Sequence, residues 1–210
     1  MDYLNTKLLK ILYKILKQSF LSIDILLSWS LTFIKFKLNG VHFSNDFISR
    51  GIPLVNVNLK GCFSIGKGFV INNGINYNMI GRQQQCFFIV GPNAVLNIAN
   101  NVGLSGVAII CYKKIEIEDN VKIGGNTVIY DSDFHSLNPE ERNSQPENLS
   151  NVIVKSVKIK KGAFIGAHCT ILKGVTVGEN SIVGAGSVVS RSIPNGEIWA
   201  GNPAKFIKNI

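Results

Sequence analysis

The chain has three histidines, His42, His135 and His168. Only His135 stands in a stretch that invites chemistry, Ile129-Tyr130-Asp131-Ser132-Asp133-Phe134-His135-Ser136. An imidazole, with an ordinary pKa of about 6.5, can take a proton from a hydroxyl at neutral pH and hand it on. A carboxylate beside it can hold the ring in one tautomer. Asp131 and Asp133 are both near enough in sequence, and spacing does not choose between them. His168, in Ile165-Gly166-Ala167-His168-Cys169, reads as a structural or supporting residue at a corner, and His42 carries no argument. No two histidines have metal-ligand spacing, so no metal is expected.

A base needs a rigid mount, and the second half of the chain supplies one. Ile117, Ile123 and Ile129 recur every six residues, as do Ile159, Ile165, Ile171, Val177, Val183 and Val189. The two series share one phase, since 159 and 117 differ by a multiple of six. Four residues after the aliphatic stands a small side chain (Thr127, Ala163, Cys169, Ser181, Ser187), and Gly124, Gly166, Gly178 and Gly184 follow it directly. One inward aliphatic per short flat strand, with tight corners between, closes a triangular coil of three sixes per turn. Stacked coils pair their backbones and pile aliphatics into one core. The expected fold is therefore all-β, a parallel β-helix. The period fails at Asp133, which takes a slot meant for a small neutral residue, and resumes near Val157. A loop over 131–156 leaves the coil there. With Pro139, Glu140, Glu141, Arg142 and Pro146 it reads as a polar lid, and loops on rigid frames are where function tends to sit.

The rest divides into an amphipathic helical segment (1–40), irregular β-helix coils (41–116), the regular coils (117–194) and a closing segment (195–210). In the first, Lys7, Lys10, Lys14 and Lys17 form one stripe, and Leu8, Ile11, Leu12, Ile15 and Leu16 form the opposite face. Such a helix caps the main body or a neighbouring subunit, or lies on a membrane surface. Asp24 and the scattered lysines argue against a spanning helix or a signal peptide. In composition, 46% hydrophobic against 17% charged residues excludes a disordered chain. The net charge of +9 implies an anionic partner. Residues 1–37 carry six lysines against two aspartates, and much of the remainder lies near the C-terminus, without the aromatic-interleaved basic surface that nucleic acid requires. Cys62, Cys86, Cys111 and Cys169 are well separated and read as reduced thiols of a cytosolic protein.

The six-residue ladder resembles that of the hexapeptide-repeat acyltransferases, whose fold is a left-handed parallel β-helix. The likeness covers roughly residues 60–210. Within that superfamily the 129–136 stretch, Ile193-Pro194, and Ile198-Trp199-Ala200-Gly201-Asn202-Pro203-Ala204-Lys205 look most like the sugar O-acetyltransferases of the maltose, galactoside and polysaccharide-biosynthesis kind. The resemblance implies acetyl-CoA as acyl donor, His135 as general base, and a sugar hydroxyl of a cell-surface polysaccharide or its precursor as acceptor. It places the coenzyme on Ala167 and Ala185, by backbone and lack of bulk, and on Ser190, Arg191, Lys205 and Lys208, with Trp199 stacking near the nucleotide or closing the coil. In the family the pantetheine arm lies between adjacent subunits, so a homotrimer follows.

No serine or cysteine nucleophile motif is present, which favours direct transfer in a ternary complex over an acyl-enzyme. N-acetylation of an amino (nucleotide-)sugar is the closer rival. Serine O-acetyltransferases share N-terminal helices, but their paired histidine–aspartate motifs are absent. A scaffold without catalysis is the remaining alternative. The expected location is the cytoplasm, with peripheral contact at the inner face of the membrane open to the N-terminal segment.

Overall fold

The computed structural model describes residues 2–81 and 83–210, with side chains from residue 5 onward. A single helix, α1 (Asp2–Leu38), precedes a body of short strands. The strands form three sheets of six, eight and six members, parallel except for one terminal hairpin. Successive strands visit the sheets in rotation. Val95–Ile98 lies in the first, Gly103–Ser105 in the second, Ala108–Cys111 in the third, and Lys114–Ile117 is back in the first. Each circuit is one turn of a three-sided coil.

The single six-residue ladder of the sequence resolves into three columns. Ile65, Ile98, Ile117, Ile159 and Val177 stack in the first sheet. Ile71, Leu104, Ile123, Ile165 and Val183 stack in the second, and Phe88, Ile109, Ile129, Ile171 and Val189 in the third. All of these are buried, each contributing about 1.5–3 kcal/mol of apolar burial. The small residues Thr127, Ala163, Cys169, Ser181 and Ser187 are buried between the columns. Gly124 and Gly166 are glycine because the next turn passes so close. A Cβ on either would stand 2.6 Å from the amide nitrogen of Ala167 or Ala185.

The boundary read at 116/117 has no counterpart in the pairing. Lys114–Ile117 bonds to Val95–Ile98 on one side, and its Ile115–Ile117 stretch bonds to Val157–Ile159 on the other. The N-terminal coils use the same columns as the regular ones, but corners of unequal length and an excursion over 73–86 between two strands obscure their period.

The second half of α1 closes the N-terminal end of the coil. Phe36 is fully buried and meets Phe43, Phe47 and Phe63 at centroid distances of 5.3–6.4 Å. Thr32 and Ser49 share a buried hydroxyl–hydroxyl bond of 2.9 Å. By length and composition alone Asn5–Leu38 is long and apolar enough to cross a membrane. At the other end, Glu197–Gly201 extends the second sheet in parallel and Ala204–Asn209 folds back antiparallel to cover it.

Candidate active site

The chain leaves the coil after Val128–Tyr130, at the edge between the third and first sheets, and returns at Val157. The neck of this loop is a clip. Ser132 bridges Val154, the amide of Asp133 donates to the Ile153 carbonyl, and that of Lys155 donates to the Asp131 carbonyl. Phe134 turns the chain with φ +65°, its amide held by the Ser132 hydroxyl, and its ring packs on Tyr112 and Tyr130. That turn throws His135 outward, with its side chain 64% exposed.

His135 is oriented by a residue the sequence did not single out. Its Nδ1 lies 2.9 and 3.1 Å from the two carboxylate oxygens of Glu147. An ionised carboxylate can only accept, so Nδ1 carries the hydrogen, and in the neutral ring the lone pair then falls on Nε2. Glu147 follows the short helix α2 (Pro139–Asn143), which Asn138 caps by accepting from the Glu140 amide. The Glu141 carboxylate accepts from Ser136 and Asn151, and those bonds hold its carboxyl below the usual range. The Arg142 guanidinium donates to the Ser136 carbonyl at 2.8 Å. The lid is thus internally bonded, and the turn of chain through α2 brings Glu147 back to His135.

Neither aspartate orients the imidazole. Asp131 is completely buried, directly above Cys111 in the third sheet's inward column. Its oxygens accept from the amides of Tyr112, Lys113 and Lys114 at 2.7–2.8 Å. Burial and the Asp131 charge push the Cys111 thiol up to about 12. Asp133 pairs with Lys173 of the next turn at 2.5 Å, and its carbonyl accepts from the His135 amide at 2.8 Å. Its contribution is to fix the backbone that carries the histidine. His168 takes a corner position with φ +60°, its amide donating to the Gly125 carbonyl at 2.8 Å, in keeping with the structural reading.

The residues expected to hold a coenzyme fall into separate places. Ser190, Arg191 and Lys205 line one hollow of about 370 Å³ with Trp199, Pro203, Ala204 and Phe206. Trp199 packs on the core, its indole N–H donates to Glu197 at 2.6 Å, and it lines this hollow. Ser190 and Arg191 follow Val188–Val189, so they share His135's edge two turns further on, about 10 Å along the axis. Lys208 is exposed opposite Ile198 and does not line the hollow. Ala167 and Ala185 lie on another edge, between the second and third sheets.

Ala167 lines a second hollow, of about 570 Å³, with Gly124, Gly125, Phe164, Ser105, Arg50 and the 76–80 stretch. There Asn78 is only 5% exposed, and its Nδ2 has no hydrogen-bond partner among the described residues. Sequence reasoning passed over Asn78; its only signal was a polar excursion in an otherwise repeating coil. Among the described residues, no three His, Cys, Asp or Glu side chains converge as metal ligands would.

Comparison with known proteins agrees with this architecture. Residues 156–191 match the family described as bacterial transferase hexapeptide (six repeats). The chain is 33% identical over 130 residues to "Putative acetyltransferase YJL218W" of Saccharomyces cerevisiae, covering 59% of this chain and 63% of that protein. It is 39% identical over 76 residues to "Putative acetyltransferase SAR2635" of Staphylococcus aureus, covering 36% of each. It thus spans less than two thirds of the length of these relatives. Among solved structures, a point mutant of AntD, an N-acyltransferase from Bacillus cereus, in complex with dTDP-4-amino-4,6-dideoxyglucose and coenzyme A, superposes with a TM-score of 0.63 at 22% identity. The alignment covers 84% of this chain and 87% of that one, a likeness of fold. In its repeat and its three-sided coil of parallel strands the chain is similar to the hexapeptide-repeat transferases.

Proposed function

We propose that this protein is a left-handed parallel β-helix acyltransferase that moves an acetyl group from acetyl-CoA to a sugar hydroxyl of a cell-surface polysaccharide or its precursor. The observation that carries the reading is the His135–Glu147 pair on a loop that leaves the regular coil. With Nδ1–H held by Glu147, Nε2 accepts the acceptor hydroxyl's proton as its oxygen attacks the thioester carbonyl. Collapse of the tetrahedral intermediate breaks the C–S bond, and the departing thiolate takes the proton back from Nε2. No covalent enzyme intermediate is needed.

The donor's phosphates are assigned to Arg191 and Lys205, whose hollow also offers the Trp199 ring to a nucleotide base. Ala167 and Ala185 lie one face away from His135, so a single chain does not join them to the base. A second copy does so if the third face of one coil packs against its neighbour, and a cyclic homotrimer closes that arrangement. A cytoplasmic site of action accords with four unpaired cysteines.

Transfer to an amine is the second reading, favoured by the amino-sugar ligand of the AntD structure. The test is acetyl-CoA turnover against a panel of sugars and amino sugars, with product masses before and after mild alkali. An alkali-labile adduct supports the ester, an alkali-stable one the amide, and no turnover on any acceptor defeats both.

A further inference from the structure

Only the second half of α1 is covered. From Ser28 onward, Ser28, Thr32 and Phe36 are buried against the coil. Along the same helix, Leu8, Leu12, Leu16, Ile23, Leu27 and Ile34 are each at least 50% exposed. At helical periodicity these six fall within about 100° of one another, a stripe of about 40 Å facing away from the coil. Lys7, Lys10, Lys14 and Lys17 fall within about 80° on the opposite side. Leu9, Ile11, Tyr13, Ile15 and Phe20, also exposed, widen the apolar face to more than half the helix circumference.

Three features decide what covers this face. The first is its width, which exceeds the narrow seam one partner helix occupies. The second is charge, since α1 has six lysines against Asp2 and Asp24, so its partner is anionic. The third is its attachment. Asp24 accepts a hydrogen bond from Tyr77, and the coil occupies one side of the helix beyond it. Those residues cannot be surrounded by lipid, and in the stretch before them Lys7, Lys10, Lys14 and Lys17 break up the run of about 20 apolar residues that a crossing needs. A wide apolar face backed by lysines is the form of a helix lying in the plane of a membrane surface.

We propose that α1 seats the protein on an anionic lipid bilayer, its Leu8–Ile34 stripe in the interface and its lysines drawn toward the acidic headgroups. Binding of this kind does not depend on acyl transfer, so the two readings fail separately.

The experiment is co-sedimentation of the full chain with vesicles of phosphatidylcholine alone or with about one third phosphatidylglycerol. The protein is expected to sediment with the anionic vesicles, to stay in solution with the zwitterionic ones, and to be released by high salt. Replacing Lys7, Lys10, Lys14 and Lys17 together by Gln should weaken partition by about tenfold or more. The triple variant Leu12→Ser, Leu16→Ser and Leu27→Ser should abolish it with the thermal melt little changed, since these side chains lie outside the buried core. Absence of binding to either vesicle would overturn the proposal, and a fall in oligomer mass for the triple variant would then assign the stripe to a second copy. Equal, salt-resistant retention by both vesicle types would overturn it in favour of a spanning helix.

Discussion

The Glu147 carboxylate, twelve positions on in sequence, meets Nδ1 of His135 at 2.9 Å, the imidazole largely exposed and the carboxylate mostly covered. The pair makes Nε2 the basic nitrogen. Loss of the base in His135→Ala should lower kcat by about 10²–10⁴. Glu147→Ala leaves the ring but frees its tautomer and orientation, so kcat should fall by about ten- to a hundredfold with the KM for acetyl-CoA unchanged. Because the two act as a unit, the double variant should be no slower than His135→Ala. Additive losses in steady-state kinetics would separate Glu147 from the base.

Asp131 gives the opposite expectation. Three backbone amides converge on its buried carboxylate. Asp131→Ala strands those donors, at about 3–5 kcal/mol for a buried charge site that loses its central group. For a chain of this size that is a drop in melting temperature of about 10 °C. Turnover per folded molecule, measured well below the transition, should stay nearer wild type than that of Glu147→Ala. A melt unchanged from wild type would show that the amides find other acceptors.

How much of this was legible in the sequence follows from which interactions are periodic. The columns through Ile117, Ile123 and Ile129 repeat every six residues because each flat strand contributes one inward side chain, and periodicity exposes them. Along the same columns Ile71 to Phe88 spans an excursion, and Ile109 to Ile117 a longer corner, so the N-terminal coils read as irregular though they pair identically. The loop announced itself by breaking the ladder at Asp133. Which carboxylate reaches His135 did not, because nearness in sequence favours Asp131 and Asp133 whereas α2 folds Glu147 back over the ring. A buried Asp in an inward column and an Asp beside a lysine one turn away are relations of stacking, invisible until the register is known.

Arg191 and Lys205 share a hollow that Lys208 does not enter. If the hollow holds phosphates, each cation supplies a charge-assisted bond worth about 1.5–3 kcal/mol. Arg191→Ala and Lys205→Ala should each raise the KM for acetyl-CoA by about tenfold or more at little cost in kcat, and Lys208→Ala should do less. With acetyl-pantetheine, which lacks the nucleotide, all three should match the parent protein. Equal losses with both donors would place these side chains elsewhere in the reaction.

Acid should loosen the lid before the coil. Bonds from Ser136 and Asn151 hold the Glu141 carboxyl below its ordinary value of 4.5. A carboxyl lowered in the folded state lends stability that is complete above 4.5 and fades as pH falls through the lower folded value. Protease cleavage within 137–151 should therefore accelerate below pH 4.5 while the strands stay protected. Glu141→Gln, which does not ionise, should be cleaved at a rate independent of pH over that window, once the protease's own pH dependence is corrected on a control peptide. A wild-type rate equally flat would remove Glu141 as the latch.

Ala167 and His135 occupy different edges of the coil, separated by the third sheet. If the coenzyme slot of one copy faces the base of the next, the two defects complement. Ala167→Trp, which blocks the slot, and His135→Ala should each be nearly inactive as pure oligomers. Mixed after dissociation and reassembly, they form some interfaces in which an intact slot meets an intact base, and those interfaces turn over. In a random trimer of equal parts, about one quarter of the interfaces pair the two intact halves, so activity should return to about a quarter of wild type. Recovery that never rises above the sum of the separate variants would confine each site to a single chain, and a monomeric mass at working concentration would exclude the shared site outright.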